Sequence, residues 1–251
     1  MKRFFDVVLL GLSALALPAL ATQAPVQVAV AANFSAPMRR IAAAFEAETG
    51  VRAALSFGAT GSFYAQISNG APFELLLAAD EETPARLERE GLALAGTRFT
   101  YAIGRLVLWS AQPRMVDDHG AVLREAATTR IAVAEPKLAP YGAAAFEALA
   151  RLGLLQSLLP RLVRAGNVAQ AYQFVATGNA PLGFVALSQL MVDGRIGAGS
   201  GWVVPAQLHK PIRQDAVLLA RGRDNAGAAS LAAYLKSDKA RAIIRAYGYE
   251  F

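Results

Sequence analysis

Thirteen consecutive residues, Arg98 to Ser110, read as extended backbone interrupted only by Gly104. A run this long exceeds an ordinary strand, and a glycine inside it marks a bend or a place where another backbone comes close. The segment therefore predicts a chain that leaves one sheet and enters another near Gly104. A second run, Ile212 to Ala220, follows the linker-like Pro205–Pro211 and is expected to return the chain to the first sheet. Two crossings divide a chain into two lobes, one of them discontinuous, with a cleft between them.

The rest of the sequence alternates short β-rich runs with helical patterns, as in α/β folds built on parallel sheets. Val26–Ala31, 52–57, 74–78, 130–134 and Leu182–Ala186 read as strands. Between the first two, Ser35 is a candidate N-cap, Pro37 falls in the first turn, and Met38, Ile41, Ala42 and Phe45 recur at helical spacing up to Gly50. Helices are also expected over about 80–89, 142–152 and 168–177, and through the C-terminal third. The fold class is α/β with two lobes, each a mainly parallel sheet flanked by helices. The expected boundaries are 22–103 with 212–251 for lobe I and 104–211 for lobe II.

Residues 1–21 have the layout of an export signal. Lys2 and Arg3 precede an apolar run from Val7 to Leu17, and Pro18 is followed by the small-x-small triplet Ala19-Leu20-Ala21. The run is shorter than the roughly 20 apolar residues of a spanning helix. Cleavage leaves 230 residues and lowers the net charge from +6 to +5, because Lys2, Arg3 and Asp6 leave together. The remaining basic residues are interspersed with acidic ones, unlike the clustered stripe of a nucleic-acid binder.

Cysteine is absent, which excludes disulfides, thiol nucleophiles and cysteine metal sites. The two histidines, His119 and His209, lie in polar, Pro- or Gly-flanked segments and are expected at the surface. No G-x-S-x-G elbow, phosphate loop or H-E-x-x-H helix occurs. The adjacent pairs Glu81-Glu82 and Asp117-Asp118 are expected to face solvent, and Gly197–Gly201 reads as a surface turn. An exported enzyme is disfavoured by the missing nucleophile–base pair, and a sensor by the lack of an appended domain.

Four junctions stand out instead: Ala31–Ser35, Ser56–Ser62, Ala139–Gly142 and Ala165–Val168. Each pairs a strand end or loop with a helix start, is built of small or polar residues, and contains no lysine or arginine. Helix N-termini carry unpaired N–H donors and partial positive charge, so they hold anions without cationic side chains. Taken singly, each junction is ordinary turn chemistry. Together they suit an anion that stays fully ionised, because N–H and hydroxyl donors do not change protonation state.

These segments carry a resemblance. Ala31-Ala32-Asn33-Phe34, Phe57-Gly58-Ala59-Thr60-Gly61, Asn69-Gly70-Ala71-Pro72-Phe73-Glu74 and Ala78-Ala79-Asp80 stand in collinear order. They are followed by Arg98–Gly104, Ala139-Pro140-Tyr141-Gly142 and Leu182-Gly183-Phe184-Val185-Ala186. The series resembles the periplasmic molybdate-binding proteins of ABC importers, which have the two-lobed type II binding-protein fold. The resemblance implies an exported, periplasmic, monomeric binding component with no cofactor and no enzymatic activity. Its ligand would be molybdate or tungstate, and its partner an inner-membrane permease. It also implies an oxyanion site at Asn33 and Thr60 in lobe I and at Tyr141 and Val168 in lobe II, with no direct metal ligand.

Within that resemblance, Asn33 and Thr60 would each offer a backbone N–H and a side-chain donor, and Tyr141 and Val168 their backbone N–H groups. Ser62 would cap its helix or assist the site, the cap being favoured. Two positions depart from the enterobacterial pattern: Asn33 replaces a serine, and Ala186 replaces a tyrosine whose hydroxyl reaches the anion. The Asn33 amide is the expected substitute donor. Sulfate or another oxyanion remains the alternative ligand.

Overall fold

The computed structural model describes residues 24–125, 130–192 and 194–251. The export-signal reading of residues 1–21 lies outside these.

In chain order the elements are β1 (Val26–Ala31), α1 (Ser35–Thr49), β2 (Ala53–Gly58), α2 (Thr60–Ser68), β3 (Leu75–Leu77), α3 (Glu82–Arg89), β4 (Phe99–Gly104) and β5 (Leu106–Ser110). Then come β6 (Ile131–Ala134), α4 (Pro140–Arg151), the short α5 (Leu155–Leu158), β7 (Leu162–Ala165), α6 (Val168–Ala176) and β8 (Leu182–Ala186). A small hairpin of β9 (Met191–Val192) and β10 (Arg195–Ile196) precedes β11 (Ser200–Val203), β12 (Ile212–Leu218), α7 (Ala226–Tyr234) and α8 (Asp238–Ala246).

The chain forms two five-stranded sheets, ordered β2-β1-β3-β12-β4 and β11-β5-β8-β6-β7. Each is mixed: β2, β1 and β3 run parallel, as do β7, β6 and β8, while β12 pairs antiparallel to β3 and β4, and β5 antiparallel to β8 and β11. The antiparallel pairs involve the strands next to the crossings, where the chain arrives from the other sheet. The run 98–110 splits at Arg105, so β4 belongs to one sheet and β5 to the other. β12 is the return crossing.

Apolar residues cover both faces of each sheet, as parallel strands require. On one face of the first sheet, Val26, Val28, Val30, Leu75 and Leu77 pack with Met38, Ile41 and Phe45 of α1, Leu231 of α7 and Ile244 of α8. On the other, Ala29, Leu76 and Val217 meet Phe63 and Ile67 of α2 and Leu87 of α3. In the second sheet, Leu106, Leu108, Ile131 and Phe184 pack on α4, while Val107, Ala132 and Val185 pack on α6. Each fully buried aliphatic or aromatic side chain contributes roughly 1.5–3 kcal/mol. The helix α1 stops at Gly50, whose φ of 73° is the left-handed turn that closes a helix.

Three local expectations are overturned. Ser35 is the first helical residue of α1, because a turn of 3-10 helix at Ala32–Phe34 runs directly into it. Ser62 does not cap α2: the helix begins at Thr60 after Ala59, so Ser62 already lies in its first turn. His209 is buried, at 6 % exposure, with Nδ1 2.7 Å from the Lys210 carbonyl, whereas His119 is exposed. A loop crossing between packed lobes can bury an imidazole that local composition assigns to the surface.

Candidate functional site

Four chain turns converge between the sheets, each at the C-terminal end of a parallel strand. β1 runs into the 3-10 turn Ala32–Phe34, β2 into α2, and, from the second sheet, β6 leads to α4 and β7 to α6. Crevices at this end of parallel sheets are where ligands meet helix starts. Ala31, Ala32, Asn33, Gly58, Ala59, Thr60 and Ala79 from one side, and Ala139, Pro140, Tyr141, Asn167 and Val168 from the other, enclose one small cavity. The four residues singled out from the sequence all line it.

The space is small and neutral. Its volume is about 10 Å³. That is about the room a single buried water needs. No charged side chain lines it. What it presents is backbone. Thr60 and Val168 are the first residues of α2 and α6. In α4 the first position is Pro140, which has no N–H, so Tyr141 carries the first donor of that helix. Asn33 lies in the first turn of its 3-10 segment. N–H groups at these positions have no acceptor within their own helix. Four residues that carry such donors, two from each sheet, thus line one cavity.

The side chains divide differently. Thr60, 1 % exposed, accepts a hydrogen bond at Oγ1 from the Ala79 N–H at 2.9 Å. That bond uses an acceptor lone pair and leaves the hydroxyl proton for donation into the cavity. Asn167 is committed to its own helix, its Oδ1 accepting from Gln170 N at 3.0 Å.

Asn33 does not supply the substitute side-chain donor. Its Nδ2 donates to Oε1 of Gln214 at 2.8 Å and to the Tyr249 hydroxyl at 3.0 Å, which occupies both amide hydrogens. The Tyr141 hydroxyl likewise accepts from Nε2 of Gln214 at 3.2 Å. Tyr101 adds a third phenol, 2.9 Å from both Gln214 Oε1 and the Ala78 carbonyl. Burial pushes the phenol pKa of Tyr101 and Tyr141 well above the usual tyrosine value, and raises that of Tyr249 as well. The whole group therefore stays uncharged at ordinary pH. The side chains of Asn33 and Tyr141, both of which line the cavity, are thus linked through Gln214.

Gln214, Tyr249, Ser188 and Tyr101 were not among the sequence candidates. Gln214 carries no local signal, because it stands between two other polar residues, Arg213 and Asp215, in the crossing run 212–220. Nothing near Tyr249 in the chain points to the cavity. Ala186 is fully buried, and its N–H donates to Gln189 Oε1 at 2.9 Å. Ser62 does not line the cavity.

A wider groove of about 840 Å³ shares Ala79, Ala139 and Pro140 with the cavity. The groove carries both signs of charge: Asp80, Glu81, Glu82 and Glu147 with Arg86, Lys137, Lys210 and Arg213. Burial raises the Asp80 carboxyl pKa above the usual carboxylate value, against hydrogen bonds from Thr83 that lower it. Among the described residues no grouping of three or more His, Cys, Asp or Glu side chains could hold a metal ion. The chemistry on offer is thus hydrogen-bond donation to a small, compact anion.

Residues 26–250 match the family model of the bacterial extracellular solute-binding proteins. The chain is 59 % identical over 243 residues to the molybdate-binding protein ModA of Azotobacter vinelandii, spanning 97 % of this chain and 96 % of that protein. It is 52 % identical to ModA of Rhodobacter capsulatus, over 94 % and 91 % of the two chains. Among solved structures, the Azotobacter vinelandii periplasmic molybdate-binding protein superposes with a TM-score of 0.88 at 43 % identity, covering 90 % of this chain and 99 % of that one.

Proposed function

This chain belongs to the family of bacterial extracellular solute-binding proteins, and from that premise we propose that it is the molybdate-binding component of an ABC importer. It works in the periplasm as a monomer, takes molybdate or tungstate between its lobes, and passes the anion to an inner-membrane permease. The single observation that carries this reading is the neutral cavity lined by four helix starts, two from each sheet. High identity over nearly the full length to two molybdate-binding proteins supports the choice of anion.

The lobes divide at the two crossings, with 22–103 and 212–251 in one and 104–211 in the other. The N–H groups of Asn33 and Thr60 from the first lobe, with the Thr60 hydroxyl, meet those of Tyr141 and Val168 from the second. Each hydrogen bond to a charged acceptor is worth about 1.5–3 kcal/mol, and helix-start partial charges add to it. With no cationic side chain in the wall, release breaks no buried salt bridge. Donors of this kind also select a fully ionised anion. A protonated oxyanion would set an O–H against an N–H with no acceptor between them, at a cost of about 1–3 kcal/mol. Donors spaced for molybdate would leave the oxygens of the smaller sulfate short of some of them. Tungstate is nearly the same size and binds alongside.

A ligand that binds only the native state raises its melting temperature. Molybdate and tungstate are expected to raise it, and sulfate and phosphate to leave it unchanged, in a thermal-shift panel on anion-stripped protein. A flat response to all four sinks the reading, and a response to sulfate alone replaces the ligand.

A further inference from the structure

We propose that Tyr249 and Gln214 are positioning residues for this site and that Tyr249 ties the two lobes together behind it. The proposal rests on the reading of the cavity as an oxyanion site. Tyr249 is 4 % exposed and stands edge-on to Phe34, with ring centroids 5.3 Å apart. Its hydroxyl lies 2.9 Å from the Asn33 carbonyl and 3.0 Å from Ser188 Oγ, while Ser188 Oγ lies 2.8 Å from that same carbonyl. Tyr249 has one proton to give, so it donates to one of the two at a time. Either choice leaves the Asn33 carbonyl with a donor. Asn33 follows β1 of the first sheet, whereas Ser188 follows β8 of the second, so the triangle spans both lobes.

The backbone around Tyr249 is fastened on both sides. Glu250 and Ile103 exchange N–H···O bonds of 2.7 and 3.0 Å, which pins the segment to β4 of the first sheet. Gly248, at φ 78°, lies so close to Leu187 that a Cβ there would come within 2.9 Å of its side chain. Leu187 belongs to the second lobe, next to Ser188. Gln214 completes the arrangement by linking Asn33, through Oε1, to Tyr141, through Nε2. Two residues that offer backbone donors to the cavity from opposite lobes are thus held through one carboxamide and one phenol. Opening the cleft separates Ser188 from Asn33 and Tyr249, and Tyr141 from Gln214. These bonds act only in the closed form, so they bias it and slow release.

Tyr249→Phe keeps the ring against Phe34 but removes the tie to Ser188 and the acceptor for one Asn33 amide hydrogen. Ser188→Ala cuts the same tie from the other lobe and touches no cavity atom. Both variants are expected to release molybdate about tenfold faster in stopped-flow measurements, the effect of losing one buried hydrogen bond, with association changed less than twofold. A purely structural role would lower the melting temperature and leave the release rate alone. Spin labels on the two lobes should also report a longer interlobe distance in ligand-free Tyr249→Phe. Release rates within twofold of the parent overturn the proposal. Should the parent bind no oxyanion, the site reading fails, and the tie is then judged on the interlobe distance, where an unchanged distance overturns it.

Discussion

The backbone N–H of Gly61 donates to the Leu138 carbonyl at 2.9 Å, joining the first turn of α2 in one lobe to the segment before α4 in the other. The approach is close enough that a Cβ on Gly61 would stand 3.1 Å from the Leu138 Cα and 3.2 Å from its oxygen. Backbone atoms leave no side chain to swing aside. Gly61→Val is therefore expected to hold the lobes apart while each lobe folds. Affinity for molybdate should fall about tenfold or more, in line with overpacking costs of about 1–3 kcal/mol. Calorimetric affinity within twofold of the parent would refute this.

Thr60 Oγ1 accepts from Ala79 N, and the proposed site gives its remaining proton to the anion. Thr60→Val keeps shape and backbone but loses both. Affinity should drop by about 1–3 kcal/mol, accompanied by a lower melting temperature from the unsatisfied Ala79 N–H. Thr60→Ser retains the hydroxyl and should bind within a few-fold of the parent. Equal affinity of the valine and serine variants would take the hydroxyl out of the site.

Gly104 ends β4 at the crossing, and a Cβ there would sit 2.1 Å from the Tyr141 hydroxyl and 2.6 Å from Gln214 Nε2. Its backbone is ordinary, so the constraint is space. Gly104→Ala should displace the buried phenol and destabilise the protein by about 1–3 kcal/mol, seen as a lower midpoint in urea unfolding. A midpoint equal to the parent's would show that the phenol yields without cost.

Asp80 supplies a pH test. Its carboxyl is raised above the usual value, first by burial, and also by the nearby Glu82 and Asp215 charges. A raised acid pKa means that ionisation opposes folding. The penalty is present above the folded-state pKa and disappears as pH falls below the unfolded-state value. Asparagine keeps an oxygen to accept from Thr83 N, the bond Asp80 makes at 2.8 Å. Asp80→Asn should therefore melt higher than the parent at pH 7, with the advantage fading below about pH 4. A lower melting temperature at pH 7 would mean that the charge helps its helix more than burial harms it.

Much of the architecture was legible because its signals are local. β1 and β8 fall on the residues expected from their apolar runs, and α6 starts at Val168 as expected, with the Asn167 side chain capping it. The split of 98–110 into β4 and β5 around Arg105 follows from a run too long for one strand and a glycine inside it. Helix starts were misjudged by a few residues at Ser62, because polar side chains suggest a cap wherever they fall. The α2 start has no side-chain cap at all, since Ala59 and Thr60 sit at a cavity wall.

By itself the sequence determined where backbone N–H groups would lack a partner in their own helix: Asn33, Thr60, Tyr141 and Val168 stand at turns and helix starts, and such a donor there follows from helix geometry alone. What only the tertiary structure decided is where the side chains point. Asn33 was expected to aim its amide at the anion, yet that amide is consumed by Gln214, 181 residues away, and Tyr249, 216 residues away. A carboxamide turns toward whichever partners satisfy both of its hydrogens in a buried space. Partners that distant in the chain leave no local pattern, and folding alone brings them within reach.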